Sequence, residues 1–330
     1  MSYKNSLSDT LGISSYRFGD RILTPSLLSS VQPYLPLGKS FKRFHDNIIL
    51  TPTQQKDGNQ KRENVVKCLN QSYYHYDSPI DNSFFIGSWS KNTAIRPPRD
   101  VDIYFLLPLH IFTRFYNYTH NGQSALLQEV KTILSDSFPK TQMKGDGQVV
   151  VVSFGSYKVE VVPAFELRDG RYYICNTNDG GSYIITNPFA EFEYIDTIDN
   201  LNEHTLRPLI RILKVWQSFC KVPIKSFLLE LLTAEFIQQL SLDIKNWSSF
   251  HIMIYDFFNF LYQKSQESAA YVPVPGTSEK IFIDNELKMF ALRAKNCSSN
   301  ALRYERKKQF LEANKWWQKI FGDRFSRRDY

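Results

Sequence analysis

Residues 99–108 read RDVDIYFLLP, an apolar run of strand length whose first positions carry two carboxylates, Asp100 and Asp102. Val101–Pro108 is rich in β-branched and aromatic residues, as a buried strand requires. Side chains alternate faces along a strand, so Asp100 and Asp102 emerge on the same side. Two ionised carboxylates at that spacing repel and raise each other's pKa. A divalent cation removes the conflict, and Mg²⁺ favours a few carboxylates together with phosphate oxygens. A lone pair of acids at a strand mouth is most simply solvated, so the reading depends on what accompanies it.

Two features accompany it. Gly87-Ser88 lies upstream, after SFFI, a short strand. Small residues at such a turn let backbone N–H groups and the Ser88 hydroxyl approach a phosphate closely. Downstream, KVEVVPAF places Glu160 inside an apolar strand, with Val159 and Val161 facing the other way. A single acid in such a run needs a partner or a metal. Glu166 is its nearest competitor; it lies beyond Pro163 and is expected to be outside the strand. Three carboxylates on adjacent strands beside a phosphate-gripping turn make a site for two-metal nucleotidyl transfer, with two Mg²⁺ or Mn²⁺ ions and NTP substrates.

The remaining chain organises around this half. Thr51 is a helix N-cap with Pro52 at the first helical position, and Asp57-Gly58 offers a break in the helix that follows. Leu126, Leu127, Val130, Ile133, Leu134 and Phe138 recur at helical spacing. VVVVSF and KVEVVPAF read as two strands joined by a GSY turn. After about Tyr194 the pattern turns to successive helices, interrupted by SQESAAYVPVPGTSEK, a Pro/Gly/Ser loop, and closed by two helices from Asn285. The 330 residues suffice for about two domains.

The N-terminus lacks a basic-then-apolar leader pattern, and no run approaches the ~18 apolar residues of a membrane span, so a cytoplasmic protein without a membrane partner is expected. The formal net charge of +7 suits anionic ligands such as nucleotides. Cys68, Cys175, Cys220 and Cys297 are widely spaced, which points to free thiols.

In order, GSWSKNTAIRPPRDVDIYFLLP, NGQSALLQEVK, DGQVVVVSF, VEVVPAFE, ITNP, LIRILKVW, IKSFLLELL and IFGDRF resemble the bacterial cyclic-oligonucleotide synthases, the CD-NTases, within the polymerase-β-like nucleotidyltransferase superfamily. The resemblance covers roughly residues 40 to 325. It implies an α+β fold: a nucleotidyltransferase core of mixed sheet with flanking helices over 1–196, including N-terminal helices, then an all-helical domain over 197–330 that closes the nucleotide cleft. It implies an antiphage-defence enzyme that makes a cyclic di- or trinucleotide messenger for a downstream effector, acting as a monomer under an activating protein or nucleic-acid ligand.

It also implies roles for residues of the helical half. Lys214, which by itself reads as a solvated lysine at a core edge, would contact the donor triphosphate. Ser226, which by type is a helix N-cap, would place its hydroxyl on the same triphosphate. Phe227 would stack on a nucleobase or pack in the core. Thr93 and Arg96 lie in the loop between the Gly-Ser turn and Asp100, with phosphate binding or a local acid as the partner for Arg96. The basic tail around Arg303, Lys307 and Lys308 reads as the solvated face of a helix, or as an RNA contact. Two other readings stay open at this point: a transferase that adds nucleotides to RNA or protein, and a non-catalytic nucleotide-binding scaffold.

Overall fold

The structure, a computed structural model, describes residues 35–240 and 245–325. The short helices expected before residue 35 lie outside the described residues. In chain order the elements are α1 (Leu35–Asp46), α2 (Pro52–Tyr74), β1 (Ser83–Phe85), α3 (Gly87–Ser90), β2 (Asp100–Leu106), α4 (Leu109–Tyr116), α5 (Gly122–Ser137), β3 (Gln142–Asp146), β4 (Val149–Ser153), β5 (Lys158–Glu166), β6 (Tyr172–Asn176) and β7 (Ser182–Thr186). Then follow α6 (Pro188–Leu201), α7 (Leu206–Phe219), α8 (Ser226–Ile237), α9 (Phe250–Lys264), β8 (Tyr271–Pro273), β9 (Lys280–Phe282), α10 (Leu287–Arg306) and α11 (Phe310–Phe321). Residues 48–192 with 276–278 form one compact unit, and the described parts of 1–47, 193–275 and 279–330 form the other. α6 carries the chain from the first into the second.

The first unit is built on a seven-stranded mixed sheet in the order β1-β2-β5-β4-β3, with β6 pairing β5 and β7 pairing β6. Only β2 and β5 pair in parallel; the other neighbours are antiparallel. Strand alternation divides the sheet into two faces. Val101, Ile103 and Phe105 of β2 and Val159 and Val161 of β5 are buried in the main core with Val65, Val66 and Leu69 of α2 and Leu126, Val130 and Leu134 of α5. Burying each such side chain contributes roughly 1.5–3 kcal/mol. The opposite face carries the acids and, further along, a smaller cluster of Tyr104, Val162, Ala164, Tyr172 and Ile174.

α2 starts as expected, with Thr51 and Gln54 forming a reciprocal capping box. It does not break at Gly58. That glycine is buried within an unbroken helix, and a Cβ there would overlap the Trp89 indole. Gly58 is a place of close approach, not a hinge. The expected loop after residue 265 instead closes into the β8–β9 hairpin, with Tyr271 opposite Phe282. All four cysteines are free.

In the second unit, Leu206, Leu209, Ile210, Leu213 and Trp216 of α7 are buried as their spacing predicts. Ile212, Lys214 and Val215 are buried as well, so the middle of α7 is enclosed on every side. Trp317 of α11 is fully enclosed, and its indole N–H donates to the buried Glu305 of α10 at 2.7 Å. Among the described residues no helix is long and apolar enough to cross a membrane.

Candidate active site

The acid-bearing face is set by register. In the parallel β2–β5 pair, Asp102 stands opposite Glu160 and Asp100 opposite Lys158. Neighbouring Val101 and Val159 are wholly buried on the core side, which pins the acids to the other face: a one-residue slip would drive every carboxylate into the core. All three acids are partly buried.

The Gly-Ser turn follows β1 directly. The Ile86 N–H donates to the Asp102 carbonyl at 3.0 Å, which locks the turn to β2. Gly87 has φ +60°, and a Cβ on it would lie 2.5 Å from Oδ2 of Asp102. The turn therefore rests on the carboxylate itself, and only glycine permits both the backbone angle and the approach. The Ser88 carbonyl accepts from the N–H of fully buried Thr93 at 2.9 Å. Trp89 donates its indole N–H to the Asp100 carbonyl at 2.9 Å and stacks on Phe85. The cleft that Gly58 leaves in α2 thus admits the ring that anchors the start of β2. Reading the sequence misses Trp89 and gives Gly58 a different use. The available signal is a large aromatic inside an otherwise small-residue turn.

Burial raises the pKa of Glu160 first, the Asp100 charge second, and Asp146 adds to it; Lys158 and Lys144 pull the other way. Lys144 reaches this face because β3 pairs β4 with Lys144 opposite Val151, which itself stands opposite Glu160. Glu166 calls for a correction. It belongs to β5 and, by parity, to the same face as Glu160. It sits six residues along, about 20 Å away, which separates it from the Asp pair. Arg96 donates its backbone N–H to the Ile48 carbonyl at 2.8 Å.

The other expected residues belong to the second unit. Lys214 is not a solvated lysine: it is 6% exposed and pairs with Glu230 of α8, itself 2% exposed, at 2.5 Å. Ser226 is exposed and is the first residue of α8, not its cap. Lys225 stands at the cap position without a side-chain hydrogen bond, and the Ser226 hydroxyl donates to Oε1 of Gln217 at 3.0 Å. Phe227 is half-buried.

Among the described residues no three His, Cys, Asp or Glu side chains converge into a ready metal-ligand group. The three carboxylates share a face, and the Asp100 charge disfavours ionisation of Glu160. This donor set fits a divalent cation, since hard oxygen ligands in mutual repulsion are what such a charge reconciles.

The turn gives a direct test. Gly87→Ala must hold the left-handed angle, at about 1–2 kcal/mol, and push the Asp102 carboxylate aside. A shift of about 1 Å at a reacting centre can cost about a hundredfold in rate. Product formation is expected to fall by that order while the protein stays folded by circular dichroism. An unchanged rate would mean that the turn does not set Asp102.

Comparison with known proteins identifies the fold and the family. The family profile for the Second Messenger Oligonucleotide or Dinucleotide Synthetase domain, SMODS, matches residues 36–200, half of the chain. A protein of Bacillus cereus named probable cyclic nucleotide synthase is 24% identical over 276 residues, covering 72% of this chain and 80% of its own. The cyclic AMP-AMP-AMP synthase of an Acinetobacter species is 29% identical over 167 residues, covering 47% of this chain and 45% of its own. Among solved structures, Escherichia coli MS115-1 CdnC with ATP superposes with a TM-score of 0.66 at 20% identity, over 88% of this chain and 99% of that one. Bradyrhizobium diazoefficiens CdnG with GTP superposes at 0.62 and 12% identity, over 88% and 96%. The fold is thus that of the CD-NTases, and the chain belongs to the SMODS family of second-messenger oligonucleotide and dinucleotide synthetases.

Proposed function

We propose that this protein makes a cyclic di- or trinucleotide from NTPs, in antiphage defence, by attack of a ribose hydroxyl on an NTP α-phosphate with release of pyrophosphate. The observation that carries the reading is the register of Asp102 against Glu160, with Asp100 on the same face and Gly87 resting on Asp102. Divalent cations bound there would lower the pKa of the attacking hydroxyl and stabilise the leaving pyrophosphate.

Asp100, Asp102 and Glu160 would hold those cations. Burial and the Asp100 charge raise the pKa of Glu160, and a bound cation would lower it again. Backbone N–H groups of the Gly87-Ser88 turn and the Ser88 hydroxyl would hold phosphate oxygens. Lys214, Ser226 and Phe227 are assigned to the donor nucleotide by the family resemblance. Relatives with ATP or GTP bound, and one that makes cyclic AMP-AMP-AMP, support purine nucleotides as substrates. A downstream effector would read the product. The CdnC relative is also solved with a HORMA protein, which supports an activating partner for this chain.

The test is incubation of the purified protein with α-labelled NTPs and Mg²⁺ or Mn²⁺, without any acceptor, followed by phosphatase. A labelled product that resists phosphatase is expected, because ring closure leaves no terminal phosphate. Label incorporated only when RNA or protein is added would replace this reading with that of a tailing transferase.

A further inference from the structure

The Gly87-Ser88 turn is followed at once by an enclosed cation. Lys91 closes α3 and is only 2% exposed. Its Nζ lies 3.6 Å from a carboxylate oxygen of Glu191, whose side chain is 22% exposed. A lysine is almost never fully buried without a partner, because its charge loses water that only an opposite charge or hydrogen bonds replace. Closing α3 does not call for that charge. The backbone N–H of Lys91 does the closing, by donating to the Gly87 carbonyl at 3.3 Å, and any residue but proline would supply it. The enclosed ammonium needs another reason, and its partner supplies one.

Glu191 lies in the first turn of α6, which Asn187 steadies by accepting the Ala190 N–H at 3.1 Å on its side-chain oxygen. Phe189 of the same turn packs on Phe84 of β1 and Tyr172 of β6, with ring centroids 4.9 and 6.2 Å apart. Phe84 is in register with Tyr104, which lies two residues along β2 from Asp102 and on the same face. Burial and, to a smaller extent, the nearby Glu191 charge raise the pKa of Tyr104. The first turn of α6 therefore covers the acid-bearing face just beyond the acids, and residues 188–192 belong to the same compact unit as the sheet. Lys91 joins that cover to the Gly-Ser turn. The Gly87 carbonyl also accepts the Ser90 hydroxyl at 3.1 Å, and the Ser88 carbonyl the Thr93 N–H at 2.9 Å, so Lys91 is bonded into the same short loop as the two residues that precede it.

We propose that Lys91 is a positioning residue for nucleotide binding: its pairing with Glu191 holds the Gly87-Ser88 turn where it meets phosphate oxygens. Its near-complete enclosure leaves almost no surface for a substrate, so it acts through the turn. Trp89 ties the turn to the start of β2 and fills the space that Gly58 leaves in α2. Lys91 ties it to α6. Two anchors on different elements fix the turn against Asp102, and removing the charge of either Lys91 or Glu191 releases one of them. This role rests on the reading of the turn as a phosphate binder.

The experiment measures binding of NTP analogues with a methylene bridge between the α- and β-phosphorus, with Mg²⁺, to the full chain, beside its stability in denaturant. Lys91→Met keeps the length of the side chain and removes its charge. Glu191→Gln does the same at a partly exposed position and keeps the test open if Lys91→Met does not fold. Each should raise Kd about tenfold at temperatures where the variant is fully folded, and in turnover the KM for NTP should rise far more than kcat falls, because phosphate contacts serve ground state and transition state alike. The two substitutions together should be no worse than either alone, since they break one interaction. Glu129→Gln, which removes the charge paired with Arg114 on α5, should leave Kd unchanged. The proposal is overturned if Lys91→Met and Glu191→Gln lower stability without changing Kd, if their effects add in full, or if Glu129→Gln raises Kd as much. Should Gly87→Ala weaken binding while these two do not, only the role of Lys91 falls. Should none of the three weaken it, the phosphate reading of the turn falls as well.

Discussion

Asp100→Asn combined with Asp102→Asn is expected to lower product formation by more than about a thousandfold, roughly 4 kcal/mol of transition-state stabilisation. Neutral amides keep the shape of both side chains but are weak cation ligands. The fold should survive, because the buried neighbours Val101 and Ile103 keep β2 in register. A second readout separates a metal role from a structural one. In the wild-type protein, Mg²⁺ or Mn²⁺ with a non-reacting nucleotide analogue should raise the melting temperature, since binding only the native state stabilises it by mass action. In the double variant that rise should vanish. The variant without ligand should be at least as stable as wild type, because the charge of Asp100 against Glu160 has been removed. A double variant that turns over normally, or that still shows the metal-dependent rise, would move the site elsewhere.

The second large effect concerns Lys214. With Lys214 and Glu230 both enclosed and paired, Lys214→Ala leaves a carboxylate buried without its cation. Breaking one side of such a pair costs roughly 3–5 kcal/mol. Chemical denaturation should show that loss. Lys214→Met with Glu230→Leu removes both charges together and is expected to recover most of the stability, since well-packed apolar replacements of buried pairs are often near neutral. That folded double variant then isolates the catalytic question. A raised KM for NTP with stability restored would support a triphosphate contact by Lys214. An unchanged KM would leave Lys214 a structural role alone. Full stability of Lys214→Ala would contradict the buried pair itself.

These two residues mark where the sequence could and could not be read. β2 and β5 were legible because an acid inside a run of Val, Ile and Phe has one face to go to, and the alternation states which. α7 was legible as a helix because five apolar residues share its inner face. Lys214 reads by itself as a solvated lysine but is buried, because its partner Glu230 lies on the next helix and the periodicity of one helix carries no information about what packs against it. Ser226 differs for a similar reason: residue type favours it as a cap, but it is the first helical residue and its hydroxyl donates to Gln217.

β3, with the sequence QMKGD, has almost no strand propensity and exists because β4 offers it an antiparallel partner. The same holds for the β8–β9 hairpin in a segment rich in Pro, Gly and Ser. Its tip is fixed by Gly276 at φ +73°, where a Cβ would meet Ala190 and Asn187. Gly58 looked like a helix breaker because its use, making room for Trp89, becomes visible only once distant segments are brought together.

The ratio of pyrophosphate released to nucleotide found in product tests the central claim most directly. Each phosphodiester bond formed from an NTP releases one pyrophosphate. A closed ring has as many such bonds as nucleotides, so the expected ratio is one, with no 5′-triphosphate in the product by mass spectrometry. A linear dinucleotide would give a ratio of one half and a linear trinucleotide two thirds, each retaining its triphosphate. A ratio of one, lost in the Asp100 and Asp102 double variant, is what the account predicts. A ratio that stays at the linear value, or pyrophosphate release that persists in that variant, would contradict it.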